Sequence, residues 1–191
     1  LAGGDAGRAL ADLRRGLRID PVNPYLRSVL GWILFLGGNA GQAETEFKKA
    51  RSSGERDLFR VMGLFFAGRT NGRKLLREFE ALERETRNEW PAPLLKHLKG
   101  ELKEKECIAL ARNPNEQADT MFYIACKYIA DGKKARAKEF IETSIKSGGS
   151  SSPEYHLAMA LARSGEKMTI ELPGKIPESP AEEIVFSFGA P

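Results

Sequence analysis

Residues 31–50 read GWILFLGGNAGQAETEFKKA: an apolar run stops at two glycines, and apolar residues then return at about every fourth position. The glycine pair that ends at Gly38 predicts the end of one helix, because glycine readily adopts the left-handed conformation that terminates helices. Asn39 is a residue type that caps the start of a following helix. The stretch therefore predicts two antiparallel helices, with the small residues Gly31 and Ala43 facing each other where the helices cross.

The same spacing of small and apolar residues recurs along the chain. Thirty-four residues earlier, Gly4, Ala9 and Leu13 hold the places of the turn glycine, the small residue and the aromatic residue. A weaker copy begins near residue 58. A further copy lies ninety-four residues after the first, and its members are Ile124, Ala125, Tyr128, Gly132, Ala137 and Ile141. Because one helix pair cannot bury both of its faces, these copies predict a stack of helix pairs.

Clusters of glycine, asparagine and proline divide most of the chain into ten predicted helices. The predicted spans are 5–18, 23–37, 40–52, 57–68, 71–87, 91–98, 101–111, 115–130, 134–147 and 153–163. We interpret residues 1–165 as one helical repeat domain whose first repeat is truncated. The apolar face that this truncation leaves at residues 9–17 needs a cover, which makes a homodimer possible.

Residues 166–191 form a C-terminal extension of different character. Two strand-prone runs, 168–172 and 184–188, flank a proline-rich segment that cannot be helical. The extension is expected either to be disordered or to dock on an apolar surface of the repeat domain, in the same or a neighbouring subunit. The chain also opens on what resembles the end of a helix, so we expect it to be a piece of a longer protein.

The composition excludes several classes of function. Hydrophobic residues make up 41% and charged residues 29% of the chain, which is typical of a folded globular protein. The net charge of +4 comes from interleaved acids and bases, a pattern that does not indicate nucleic-acid binding. The mixed run at 78–85 is predicted to be a solvated helix face. No apolar run reaches the roughly 18 residues that a membrane span needs.

Few residues in the sequence suggest catalysis. His97 and Cys107 are close enough in sequence to form a base and nucleophile pair, but a surface histidine and a buried cysteine are the more ordinary locations of these residue types. The two cysteines, Cys107 and Cys126, form no CxxC motif, and no histidine or cysteine spacing matches a metal site. We therefore predict no catalytic residues, no cofactor and no metal.

The thirty-four-residue period resembles the tetratricopeptide repeat (TPR) family, and the residues that carry the resemblance are Leu30, Gly31, Leu34, Gly38, Ala43, Phe47 and Ala50. Arg27 departs from the family pattern, which usually has an aromatic residue there, and Glu55 stands where proline is common. The order of segments, including 89–91, 122–128 and 154–162, is similar to the bacterial NlpI-type envelope lipoproteins. This resemblance implies a right-handed α-solenoid that acts as a non-catalytic adaptor in the cell envelope, bringing proteases or peptidoglycan hydrolases to their targets.

The TPR resemblance also implies a binding surface, because the first helix of each pair lines a concave face in that family. The residues at those positions are Tyr25, Trp32, Phe35, Phe59, Met62, Phe66, Phe122 and Ile129. We predict that they form an apolar groove for a peptide or protein, unless they are core or the C-terminal extension fills the groove. Ser28 and Trp32 replace the lysine and asparagine of the family's carboxylate clamp. The alternative function is a regulatory or structural TPR module within a larger enzyme or assembly.

Overall fold

The computed structural model describes residues 6–50, 58–70, 76–87, 89–148 and 152–164, and every regular element in these residues is an α-helix. In chain order the helices are α1 (Ala6–Ile19), α2 (Pro24–Leu36), α3 (Ala40–Lys49), α4 (Leu58–Thr70), α5 (Leu76–Thr86), α6 (Ala92–Lys99), α7 (Glu104–Ala109), α8 (Pro114–Ala130), α9 (Lys134–Ser147) and α10 (Pro153–Arg163). Within these residues the prediction of an all-α fold with ten helices is confirmed; one difference is α7, which is shorter than its predicted span of 101–111. The predicted extension, 166–191, lies outside the described residues.

Three helices begin with the same local arrangement, a capping residue followed by proline. The side chains of Asn23, Asn113 and Ser152 each accept a hydrogen bond from a backbone N–H in the first turn of α2, α8 and α10. Proline suits the next position because the N–H that it lacks has no partner inside the helix there. These local signals explain why the starts of the three helices are readable from the sequence.

The turn at Gly38 and the turn at Gly132 have the same geometry. Gly38 has a φ of +85°, its N–H donates to the carbonyl of Phe35 (3.0 Å), and the N–H of Asn39 donates to the carbonyl of Leu34 (2.8 Å). Ninety-four residues later, Gly132 has a φ of +73°. Its N–H donates to the carbonyl of Ile129 (3.0 Å), and the N–H of Lys133 donates to the carbonyl of Tyr128 (2.8 Å). The repeated pattern in the sequence therefore corresponds to a repeated helix termination. The Asn39 side chain, however, makes no cap hydrogen bond, which contradicts its predicted capping role.

The helices around these two turns also pack alike. Helix α3 packs against α2 and α4, which touch each other, and α9 packs in the same way against α8 and α10. Within the first unit, a Cβ added to Gly31 or to Gly63 would lie 2.8 Å or 2.1 Å from the ring of Phe47. The ring therefore fills the room that two glycines leave, and Phe47 rather than Ala43 is the nearest side chain to Gly31.

The two three-helix units share one hydrophobic core. Helix α4 packs on α8, and the short helix α6 bridges α5, α7 and α8. Buried apolar side chains run continuously from Leu10 of α1 to Leu161 of α10. Among the described residues, none of the helices combines the length and apolar character needed to cross a membrane.

Candidate functional site

Six of the eight residues predicted to line a groove are buried. They are Trp32, Phe35, Phe59, Met62, Phe66 and Phe122, and none is more than 7% exposed. Trp32 is fully buried, and its Nε1–H donates to the backbone carbonyl of Phe59 at 2.8 Å. A buried indole nitrogen with a satisfied hydrogen bond is typical of a core residue.

The face that was predicted to be concave is covered by α8. The ring of Trp32 lies 5.5 Å from that of Phe122 and 6.0 Å from that of Tyr123, both on α8. On its other sides are the rings of Phe35, Phe47, Phe59 and Phe66, between 5.5 and 6.1 Å away. The prediction that these six side chains line an open groove is therefore wrong, and the alternative, that they are core, is confirmed.

The other two predicted groove residues lie elsewhere. Ile129 is half-buried at the end of α8, and Tyr25 is 57% exposed at the start of α2. Tyr25 stands beside two residues that the sequence did not single out, Ile19 and Val22, which are even more exposed. We call residues 19–25 the α1–α2 tip. Its three apolar residues are three positions apart, separated by Asp20, Asn23 and two prolines, and this pattern is the sequence signal for the tip.

His97 and Cys107 are both buried. His97 is 5% exposed, so the prediction that it lies on the surface is wrong. Its Nδ1 atom lies 3.0 Å from the carbonyl oxygen of Leu102. Burial lowers the pKa of His97, and burial with the nearby Glu104 carboxylate raises the pKa of Cys107 to about 11. A catalytic cysteine needs the opposite shift. This pair is therefore neutral at pH 7 and does not form an activated nucleophile.

A polar cluster lies between α8 and α10. The Tyr123 hydroxyl donates to Oε1 of Glu154 at 2.6 Å, and both residues are buried. Asp119 is one helical turn before Tyr123, and burial together with the Glu154 carboxylate raises its pKa to about 7. Within the described residues, no group of three or more histidine, cysteine or carboxylate side chains is arranged to hold a metal ion. The cluster is thus a site where folding and proton binding are coupled.

Asp119 is expected to make the fold less stable as the pH rises. Its pKa is about 7 in the fold against an ordinary value of 3.8, so the stability that its protonated form provides is lost as the pH rises through this window. We expect the urea midpoint to be higher near pH 5 than near pH 8, and Asp119→Asn to reduce that difference. The exposed Asp12→Asn is the control. If the urea midpoint of Asp119→Asn differs between pH 5 and pH 8 as much as that of the unaltered protein, Asp119 is not the source of the pH dependence.

An open cleft of about 450 Å³ lies where α5 and α6 meet. Its lining is entirely charged and consists of Glu80, Glu83, Arg84, Arg87, Lys96 and Lys99. Hydrogen bonds to Glu101 (2.7 Å) and Glu83 (2.8 Å) raise the pKa of Lys99. Within the part of the chain that the structure describes, Arg84 and Arg87 form no ion pair. The sequence indicated the solvated face of α5, but not that α6 would add two lysines to it.

Comparisons with known proteins do not extend these observations. No protein-family model matches the chain, and neither a curated protein nor a solved structure matches it. The resemblance to TPR proteins and to envelope lipoproteins therefore stays a prediction from the sequence. The features of the described residues that bear on function are the helix packing, the cleft and the α1–α2 tip.

Proposed function

We propose that this protein is a non-catalytic scaffold that binds a protein partner, built as a right-handed solenoid of TPR-type helix pairs. The observation that supports the proposal most directly is the repeated unit: α2–α3–α4 and α8–α9–α10 pack alike and have the same glycine turn. Stacked helix pairs of this type present extended surfaces that other proteins bind. The similarity to envelope lipoproteins suggests the bacterial cell envelope as the place where it acts.

The charged cleft is the proposed recognition surface, because six of the eight residues predicted to line an apolar groove are buried. Four cations and two carboxylates line it, and one of the carboxylates, Glu83, is already bound by Lys99. Arg84 and Arg87 are exposed and present guanidinium groups that match carboxylates in a two-pronged geometry. The partner segment is therefore expected to be rich in aspartate and glutamate.

A pull-down with a charge-reversed cleft tests the proposal. The protein is immobilised, incubated with lysate of its source organism, and any captured partner is purified and titrated calorimetrically. Arg84→Glu combined with Arg87→Glu is expected to weaken binding by about tenfold or more, and added salt is expected to weaken the unaltered complex. The control, Lys105→Glu with Lys138→Glu, makes the same change in net charge at exposed positions on α7 and α9.

The outcomes separate the scaffold from its recognition surface. Failure to capture any protein that binds again after purification contradicts the scaffold function. If a purified partner binds the cleft variant and the control variant equally well, the cleft is not the recognition surface. The two variants carry the same change in net charge, and the changed charges lie at different places. Binding that is lost only in the cleft variant supports both parts of the proposal.

A further inference from the structure

The α1–α2 tip carries three of the four large hydrophobic residues that are exposed in the described part of the chain. Ile19 is 80% exposed, Val22 77% and Tyr25 57%, while the next large exposed hydrophobic residue, Leu110, lies far along the chain and is 46% exposed. Single exposed apolar residues are ordinary, but three within seven residues form a patch that indicates an interaction.

The polar residues of the tip hold its backbone in place. The Asn23 side chain accepts from the N–H of Leu26 (3.0 Å) and donates to Oδ2 of Asp20 (3.1 Å). Arg27 donates from Nε to the carbonyl of Pro21 (2.8 Å), and its guanidinium also pairs with Glu46 at 2.5 Å. The polar side chains therefore make internal contacts while the apolar ones point into solvent, so the apolar surface is part of an ordered turn.

The sequence around the tip is basic. Arg15 and Arg18 are exposed on the last turns of α1, and Arg15 lies one helical turn before Ile19 on the same face. Positions 14–27 hold four arginines, Arg14, Arg15, Arg18 and Arg27, and one acidic residue, Asp20. An apolar tip next to two exposed arginines is complementary to a surface that is both apolar and anionic.

We propose that the α1–α2 tip inserts into the surface of a lipid bilayer that contains anionic lipids. Ile19 and Val22 are about four-fifths exposed, so they protrude rather than line a pocket, which suits a fluid layer better than a preformed protein groove. In this arrangement the two aliphatic side chains reach the acyl boundary and Tyr25 lies at the level of the headgroups. Arg15 and Arg18 contact lipid phosphates. This membrane contact is peripheral and goes beyond the scaffold function.

Vesicle co-sedimentation tests the proposal with the full chain. The protein is expected to sediment with vesicles of phosphatidylcholine mixed with phosphatidylglycerol, and much less with phosphatidylcholine alone, because each cation near an anionic surface adds to the affinity. Ile19→Ser with Val22→Ser is expected to lower the partition coefficient by roughly tenfold or more, since it removes the inserted hydrocarbon. Arg15→Glu with Arg18→Glu is expected to abolish the preference for the anionic vesicles.

Leu110→Ser is the control: it removes one large exposed apolar side chain, where the tip variant removes two, and it lies far from the tip in the sequence. It is expected to leave vesicle binding unchanged, and circular dichroism checks that every variant keeps its helices. Absence of sedimentation with anionic vesicles overturns the proposal, as does equal binding by the tip variant and the control. The proposal is also overturned if no vesicle binding occurs and the tip variant instead loses a protein contact. Such a contact would be a dimer, seen by sedimentation equilibrium, or a captured protein.

Discussion

Replacing Trp32 with alanine is expected to lower the free energy of unfolding by about 3–5 kcal/mol, measured by urea denaturation. The substitution leaves a cavity among six aromatic rings and removes the donor that satisfies the backbone carbonyl of Phe59. An exposed groove residue would behave differently, because truncating it changes binding and leaves stability almost unaltered. The Trp32 variant therefore separates the two interpretations of the predicted groove.

Tyr25→Ala is the matched control for this experiment. Tyr25 is on the same helix and was assigned to the same groove, but it is 57% exposed. Its truncation is expected to change the free energy of unfolding by less than about 0.5 kcal/mol. If the Trp32 and Tyr25 variants unfold at the same urea concentration as the unaltered protein, Trp32 is not in the core, and the groove has to be considered again.

The helices were predictable because their boundaries depend on short stretches of sequence. The capping residue and proline at positions 23–24, and the turn glycines Gly38 and Gly132, act within one helical turn of themselves. A local prediction that failed is the cap at Asn39. The turn there is closed by backbone hydrogen bonds alone, so the side chain is not needed.

Burial was not predictable in the same way, because it depends on segments that are distant in the sequence. Trp32 belongs to the core because Phe122 and Tyr123, about ninety residues later, pack on its ring. The pattern of apolar residues on α2 predicts an apolar face, but it does not identify whether that face contacts solvent, a partner or α8. His97 shows the same effect, because its surroundings come from the neighbouring α7 and α8 as well as from α6. The cleft and the α1–α2 tip likewise depend on packing between helices, of α5 with α6 and of α1 with α2.

Replacing Gly63 with alanine is expected to lower the free energy of unfolding by about 1–3 kcal/mol, through overpacking. The new Cβ would lie 2.1 Å from Cζ of Phe47, closer than real Cβ contacts come. The ring has little room to move, because it is fully buried and its Cε1 and Cζ atoms also lie against Gly31. Alanine favours a helix over glycine by about 0.8–1.0 kcal/mol, so the clash has to exceed this gain for the variant to be less stable.

Gly41→Ala is the control, because Gly41 is also helical and an added Cβ would meet nothing within 4 Å. That variant is expected to be more stable by about 0.5–1 kcal/mol, from helix propensity alone. Combining Gly63→Ala with Phe47→Leu is expected to recover part of the loss, with a coupling of about 0.5–3 kcal/mol in a double-mutant cycle. If Gly63→Ala is stabilised as much as Gly41→Ala, the ring of Phe47 does not occupy the crossing of α3 and α4, and the close packing that the glycines allow is absent.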